Sequence, residues 1–151
     1  KFAGKLTELE NLHLTLKFLG EIEEDKLEEV KQKLSGIKPL QFETKLLNIG
    51  TFSYKNNPKI IWIKIGGKEI FELQKKIDFA LEPLFPKENR FMSHLTIARI
   101  KYLKNKESLS ECIKNIHVKQ IKFSVNSFTL KSSELKPLGP IYKSIEEYKL
   151  D

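Results

Sequence analysis

The chain has very little sulfur and almost no arginine. Cys112 is the single cysteine of 151 residues, which excludes an internal disulfide framework and any cysteine-built zinc site, and fits a reducing compartment. Arg90 and Arg99 are the only arginines, so nearly all of the positive charge is lysine. No apolar run approaches the roughly 18 residues of a membrane span, and no signal-peptide pattern opens the chain. A cytoplasmic protein without membrane contact is expected. Histidine is scarce as well, with three in the chain: His13, His94 and His117.

What is present is the material of one domain. The length suffices to bury a core without disulfides or structural metal, and 40% hydrophobic with 31% charged residues is the balance of a globular protein. The net charge of +7 and the pI near 9.4 favour a polyanionic or phosphate-bearing partner. Lysines solvating glutamate-rich helix surfaces would give the same numbers.

"NLHLTLKFL", Asn11 to Leu19, alternates leucine and phenylalanine against His13, Thr15 and Lys17, the period of a strand with one buried face. "EEDKLEEVKQKLSG" then has helical spacing and stops at Gly36. "LQFETKLLNIGTFSY" reads as a strand leading to a break at "NNP", and "KIIWIKIG", with the only tryptophan, as a central strand. The stretch from Glu69 to Leu84 sets Ile70, Leu73, Ile77, Ala80, Leu81 and Leu84 on one helical face until Pro86. "RFMSHLTIARI" is a further strand, followed by a weak helix near Ser108 to Asn115, one long extended run "KQIKFSVNSFTLKSS", the turn "KPLGP" and a last strand at "IYKSIEEY". No linker separates domains, so residues 1–151 are read as a single domain. The fold class is α+β. The repeated order of motif strand, helix and further strands suggests a bilobal, pseudo-two-fold fold with antiparallel-rich sheets, outer helices and a cleft between lobes.

Two of the three histidines sit in the same pattern, His-Leu-Thr-apolar. In a strand, residues two apart share a side, so His13 with Thr15, and His94 with Thr96, each present an imidazole and a hydroxyl from one face. Together they suit an in-line displacement at phosphorus. A neutral imidazole takes a proton from the nucleophile, a protonated one gives a proton to the leaving oxygen, and the hydroxyls bond the non-bridging oxygens. Imidazole reaches both states near neutral pH. A lone His-x-Thr is ordinarily a structural pair, but two among three histidines and six threonines are hard to ascribe to chance. No carboxylate or cysteine stands at ligand spacing beside either histidine, so no metal site is expected. His117, in "NIHVKQ", lacks the threonine and is expected at the surface. Lys17, on the histidine face, is a phosphate candidate from strand geometry alone.

"ENLHLTLKFLGEI", "RFMSHLTIARI" and "FTLKSSELKPLGPIY" closely resemble the 2H phosphoesterase superfamily, and within it the RNA 2′,3′-cyclic phosphodiesterases once named 2′-5′ RNA ligases. The similarity runs from about Leu9 to Tyr148. It implies a bilobal α+β fold, an active site in the cleft between lobes, and metal-independent opening of an RNA 2′,3′-cyclic phosphate to the 2′-phosphate, with no cofactor. Some members of the family also join or cleave 2′-5′ linkages reversibly. By position, the resemblance implies His13 as the acid on the departing 3′ oxygen and His94 as the base on water. It also implies Phe18 stacking on the terminal base and Arg99 binding phosphate or supporting the second motif. Partners would be RNA 3′ ends with a cyclic phosphate, tRNA fragments among them, and the protein a monomer.

Strand parity opposes two of these roles. Phe18 and Arg99 each lie an odd number of residues from their histidine, so in regular strands they point away from it. A bulge would return them. Core packing is the competing reading of Phe18 and Tyr142. Family members also begin with a short hydrophobic strand and a helix before the first motif. Neither is legible in "KFAGKLTELE", and the first lobe is expected to lack them. Two other readings stay open: a catalytically idle RNA-end binding protein, and a phosphoesterase for a small cyclic nucleotide.

Overall fold

A computed structural model describes residues 2–137 and 139–151, without the side chain of Phe2. Its strands are β1 (Phe2–Leu6), β2 (Phe42–Tyr54), β3 (Asn57–Gly66), β4 (His94–Leu103), β5 (Lys122–Val125), β6 (Ser127–Lys136) and β7 (Gly139–Lys149). The helices are α1 (Glu24–Ser35), α2 (Lys68–Leu81) and α3 (Lys106–Asn115). The class is α+β with antiparallel pairing. Among the described residues no helix is long and apolar enough to cross a membrane. The chain forms two compact units, each assembled from three separate segments.

The first unit comprises residues 2–15, Thr44–Gly67 and Met92–Lys122. Its sheet runs β1-β4-β3-β2. β3 and β4 are rich in β-branched residues, which pack well on a pleated surface. Ile61 and Ala98 face each other across β3 and β4 and are buried together with Ile100 and Leu109 of α3. One sheet face is therefore closed by a helix. The β2–β3 turn is Lys55-Asn56, both at positive φ (46° and 63°), as a two-residue hairpin of matching twist requires.

Gly50 is needed for a different reason. A Cβ there would stand 2.5 Å from the Trp62 ring, so the indole lies against bare backbone. Gly50→Ala is expected to cost about 1–3 kcal/mol by overpacking and to shift the tryptophan emission, both measurable in one urea titration followed by fluorescence.

The second unit comprises Leu16–Glu43, Lys68–Phe91 and Phe123–Asp151. Its core is made by Val30 and Leu34 of α1, Leu73, Ile77 and Leu81 of α2, and Phe128, Leu130, Tyr148 and Leu150 around the β6–β7 hairpin. The helical residues recur at intervals of four, which is one stripe of an amphipathic helix. Phe128 stacks on Tyr148 at 4.9 Å, and burial first, then Glu146, pushes the Tyr148 phenol up to about 12. It stays neutral in that core.

Three expectations need correction. "NLHLTLKFL" is not a strand: a 3-10 turn at Leu9–Asn11 is followed by extended chain outside any ladder. The edge of β4 that it could have joined is taken by β1, in a segment that carries no strand signal beyond Phe2 and Leu6. A strand therefore does precede the first motif. The alternating leucines part company instead: Leu16 and Leu19 pack on the second unit's core while His13 belongs to the first unit. Lastly, the run "KQIKFSVNSFTLKSS" breaks at Asn126, whose carbonyl accepts from Leu150 N at 2.9 Å.

Candidate functional site

β4 begins at His94, and its register against β3 decides which residues share a face. Lys64 pairs with His94 and Trp62 with Thr96, but Ile61 pairs with Ala98 and Ile60 with Arg99. Ile97 is the extra residue of a bulge. Cross-strand partners lie on the same face, and Ile60, Trp62 and Lys64 alternate along β3. Arg99 is thereby returned to the face of His94 and Thr96, opposite to Ala98 and the core. It is exposed, and no described carboxylate lies within ion-pair distance of its guanidinium.

The first motif reaches the same unit by way of β1. That strand runs antiparallel to β4, with Lys5 opposite Arg99 and Leu6 opposite Ala98, and Thr7 N donates to the bulged Ile97 carbonyl at 2.9 Å. It is heading for the His94 end of β4. The 3-10 turn then compacts the chain before His13, six residues after Thr7, so the connection is short.

Both imidazoles are held by one device. His13 Nδ1 lies 2.7 Å from the Asn11 carbonyl, and His94 Nδ1 lies 2.7 Å from the Met92 carbonyl, in each case two residues earlier in the chain. A carbonyl only accepts, so Nδ1 carries the hydrogen on both rings, and in the neutral ring Nε2 is the nitrogen with the lone pair. The chemistry set by the pattern His-x-Thr is therefore accompanied by a matched orientation of both rings. Both histidines are half-buried, as is Thr96, while Thr15 is exposed.

Phe52 of β2, which the sequence did not single out, meets His94 edge to face at 4.9 Å and Trp62 at 5.4 Å. It braces the ring from the side. Lys64 was also missed: it is the cross-strand partner of His94, and no described carboxylate pairs with it. Both could have been found only from the β2–β3–β4 register, because neither lies near a histidine in sequence.

Lys17 and Phe18 belong to the second unit. Lys17, expected on the histidine face as a phosphate ligand, instead forms a buried ion pair with Asp78 and donates to the Pro86 carbonyl at 2.8 Å. The reason is that the chain has left any ladder by Thr15, so strand parity no longer governs it. Phe18 is 83% exposed, which removes the core-packing reading. His117 is exposed, and Tyr142 lies half-buried in β7 opposite Ser133. Among the described residues no three histidine, cysteine or acidic side chains lie together as a metal-binding group.

The pattern of the family described as LigT like Phosphoesterase matches residues 1–62 and 65–142, and the chain belongs to that family of phosphoesterases. It is 41% identical over 146 residues to a protein of Methanocaldococcus jannaschii named RNA 2′,3′-cyclic phosphodiesterase, covering 95% of this chain and 83% of the relative. A protein of the same name from Methanothermobacter thermautotrophicus is 35% identical over 155 residues, covering 97% and 82%. Among solved structures, TT0787 of Thermus thermophilus superposes with a TM-score of 0.81 at 26% identity, over 97% of this chain and 82% of that one. Escherichia coli LigT complexed with 3′-AMP shares the fold with a TM-score of 0.75 at 21% identity, over 98% and 82%.

Proposed function

We propose that this phosphoesterase opens RNA 2′,3′-cyclic phosphate ends to the 2′-phosphate, with His13 and His94 as its acid–base pair and without a metal. The observation that carries the reading is the paired carbonyl clamp, which gives two histidines of one unit the same tautomer and commits Nε2 of each to proton exchange. His94 Nε2 takes a proton from water as its oxygen attacks phosphorus. The bond from phosphorus to O3′ breaks, and His13 delivers its Nε2 proton to that oxygen. The 2′-phosphate and a 3′-hydroxyl remain. Thr15 and Thr96 donate hydroxyls to the non-bridging oxygens, and Arg99 offsets their charge. Phe18 offers a face to the terminal base. With the 5′-hydroxyl of a second strand attacking phosphorus in place of water, the same two proton transfers would open the cyclic phosphate into a 2′-5′ linkage, O3′ again leaving. The relatives named above support the substrate class.

Lys64 enters this scheme as a second cation beside His94. Lys64→Ala and Arg99→Ala are each expected to lower kcat/KM by about 10–100-fold, the worth of a charge-assisted hydrogen bond of ~1.5–3 kcal/mol, mostly through KM. Their melting temperatures should stay near wild type, since neither has a described ion-pair partner to lose. Saturation kinetics with thermal melts decide it.

The direct test incubates the protein, in EDTA, with a short RNA ending in a 2′,3′-cyclic phosphate and identifies the product end. Conversion to the 2′-phosphate supports the reading. A 3′-phosphate product would reverse the leaving oxygen, dependence on added metal would remove the two-histidine chemistry, and binding without turnover would make this an idle RNA-end receptor.

A further inference from the structure

On the second unit, α2 carries an exposed phenylalanine. Phe79 is 78% exposed on the side of the helix opposite Leu73, Ile77 and Leu81. A single such residue is ordinary on a protein surface, but this ring separates two depressions. One, of about 260 Å³, is bordered by Lys75, Lys87 and Glu82. The other, of about 360 Å³, is bordered by Lys38 and Lys76, with Ile37 at its floor.

The charges around the ring are unbalanced. All four lysines are exposed, and none has a carboxylate within 4.0 Å among the described residues, unlike Lys31 and Lys33 of α1, which pair with Glu28 and Glu29. Asp78, which also borders the first depression, is neutralised by Lys17. Among the residues that border the two depressions Glu82 is left as the one opposing charge. An aromatic face with uncompensated cations on both sides is the combination that holds single-stranded nucleic acid, the base stacking on the ring and the backbone phosphates meeting the lysines.

We propose that Phe79, with Lys38, Lys75, Lys76 and Lys87, forms a second RNA contact on the second unit, a stacking platform for a nucleotide other than the reacting terminal one. This rests on the reading of the substrate as RNA. It assigns the affinity for the body of the strand to residues other than those that act on its end.

The test uses a fluorescently labelled 12-nucleotide RNA with an ordinary 3′-hydroxyl, which cannot react. Phe79→Leu should weaken its binding about tenfold and Phe79→Trp should restore it, because stacking needs a ring and an apolar side chain alone does not supply one. Lys75→Glu with Lys76→Glu should also weaken binding and flatten its dependence on salt. With a cyclic phosphate end on the same 12-mer, Phe79→Leu should raise KM by a similar factor, while its kcat/KM on a cyclic mononucleotide stays at the wild-type value. Equal binding of the 12-mer by wild type and Phe79→Leu would overturn the proposal, as would an equal loss on the mononucleotide. Failure of the wild type to open any cyclic end would defeat the reading of the active site instead, and the unreactive 12-mer would still report on Phe79.

Discussion

His94→Ala is expected to lower kcat/KM on a cyclic-ended RNA by about 10²–10⁴-fold, the share that a positioned general acid or base contributes. His13→Ala should do the same. The double variant should be scarcely slower than either single one, because the two rings serve one step and their effects do not add. The pH dependence separates them. The proposed mechanism has one ring neutral and the other protonated, which predicts a bell; removing the base should flatten the acid limb and removing the acid the alkaline limb. A decrease of less than tenfold for either variant, with the fold intact by circular dichroism, would remove that histidine from the mechanism.

The second large effect concerns stability. Lys17 and Asp78 have side chains only 5% and 7% exposed, and Asp78 also accepts from Glu88 N through both carboxylate oxygens at 3.1 Å. Removing one member of such a pair leaves a desolvated charge, at a cost of about 3–5 kcal/mol. Asp78→Ala is therefore expected to lose that much in a urea titration, since it abandons the Lys17 ammonium and the Glu88 amide together. The variant Lys17→Met with Asp78→Leu should recover part of the loss. A change below about 1 kcal/mol for Asp78→Ala would mean that water replaces the carboxylate and the pair carries little.

Elements with strong periodicity were legible in the chain. α1 and α2 follow from leucine, isoleucine and valine at helical spacing, and β3 from its β-branched run. The first motif was misread because an alternation of apolar residues does not by itself make a ladder: its leucines are divided between the two units, with Leu16 and Leu19 on the second unit's core, rather than laid on one sheet face. β1 was missed for the opposite reason. An edge strand gains its ladder from β4 and needs no pattern of its own. In the site, the paired His-x-Thr motif could be found without any structure because local sequence carries it, and the carbonyl clamps at two residues' distance are equally local. The contribution of Phe52 and Lys64 depends on register across three strands, and the recovery of Arg99 depends on one bulged residue. Neither leaves a mark in a single sequence.

The segmental make-up of the two units bears on how the protein can be made. As the chain leaves the ribosome it passes from one unit to the other after Thr15, Glu43, Gly67, Phe91 and Lys122, so neither unit has its last segment until most of the chain is out. The first is complete only at Lys122, and the second only when β6 and β7 have followed. Folding must therefore wait for long-range contacts, a slow topology in which half-made sheets stay open to misassembly. It also means that neither half can be cut out as a continuous piece. A single cut anywhere within residues 16–122 would break both units at once.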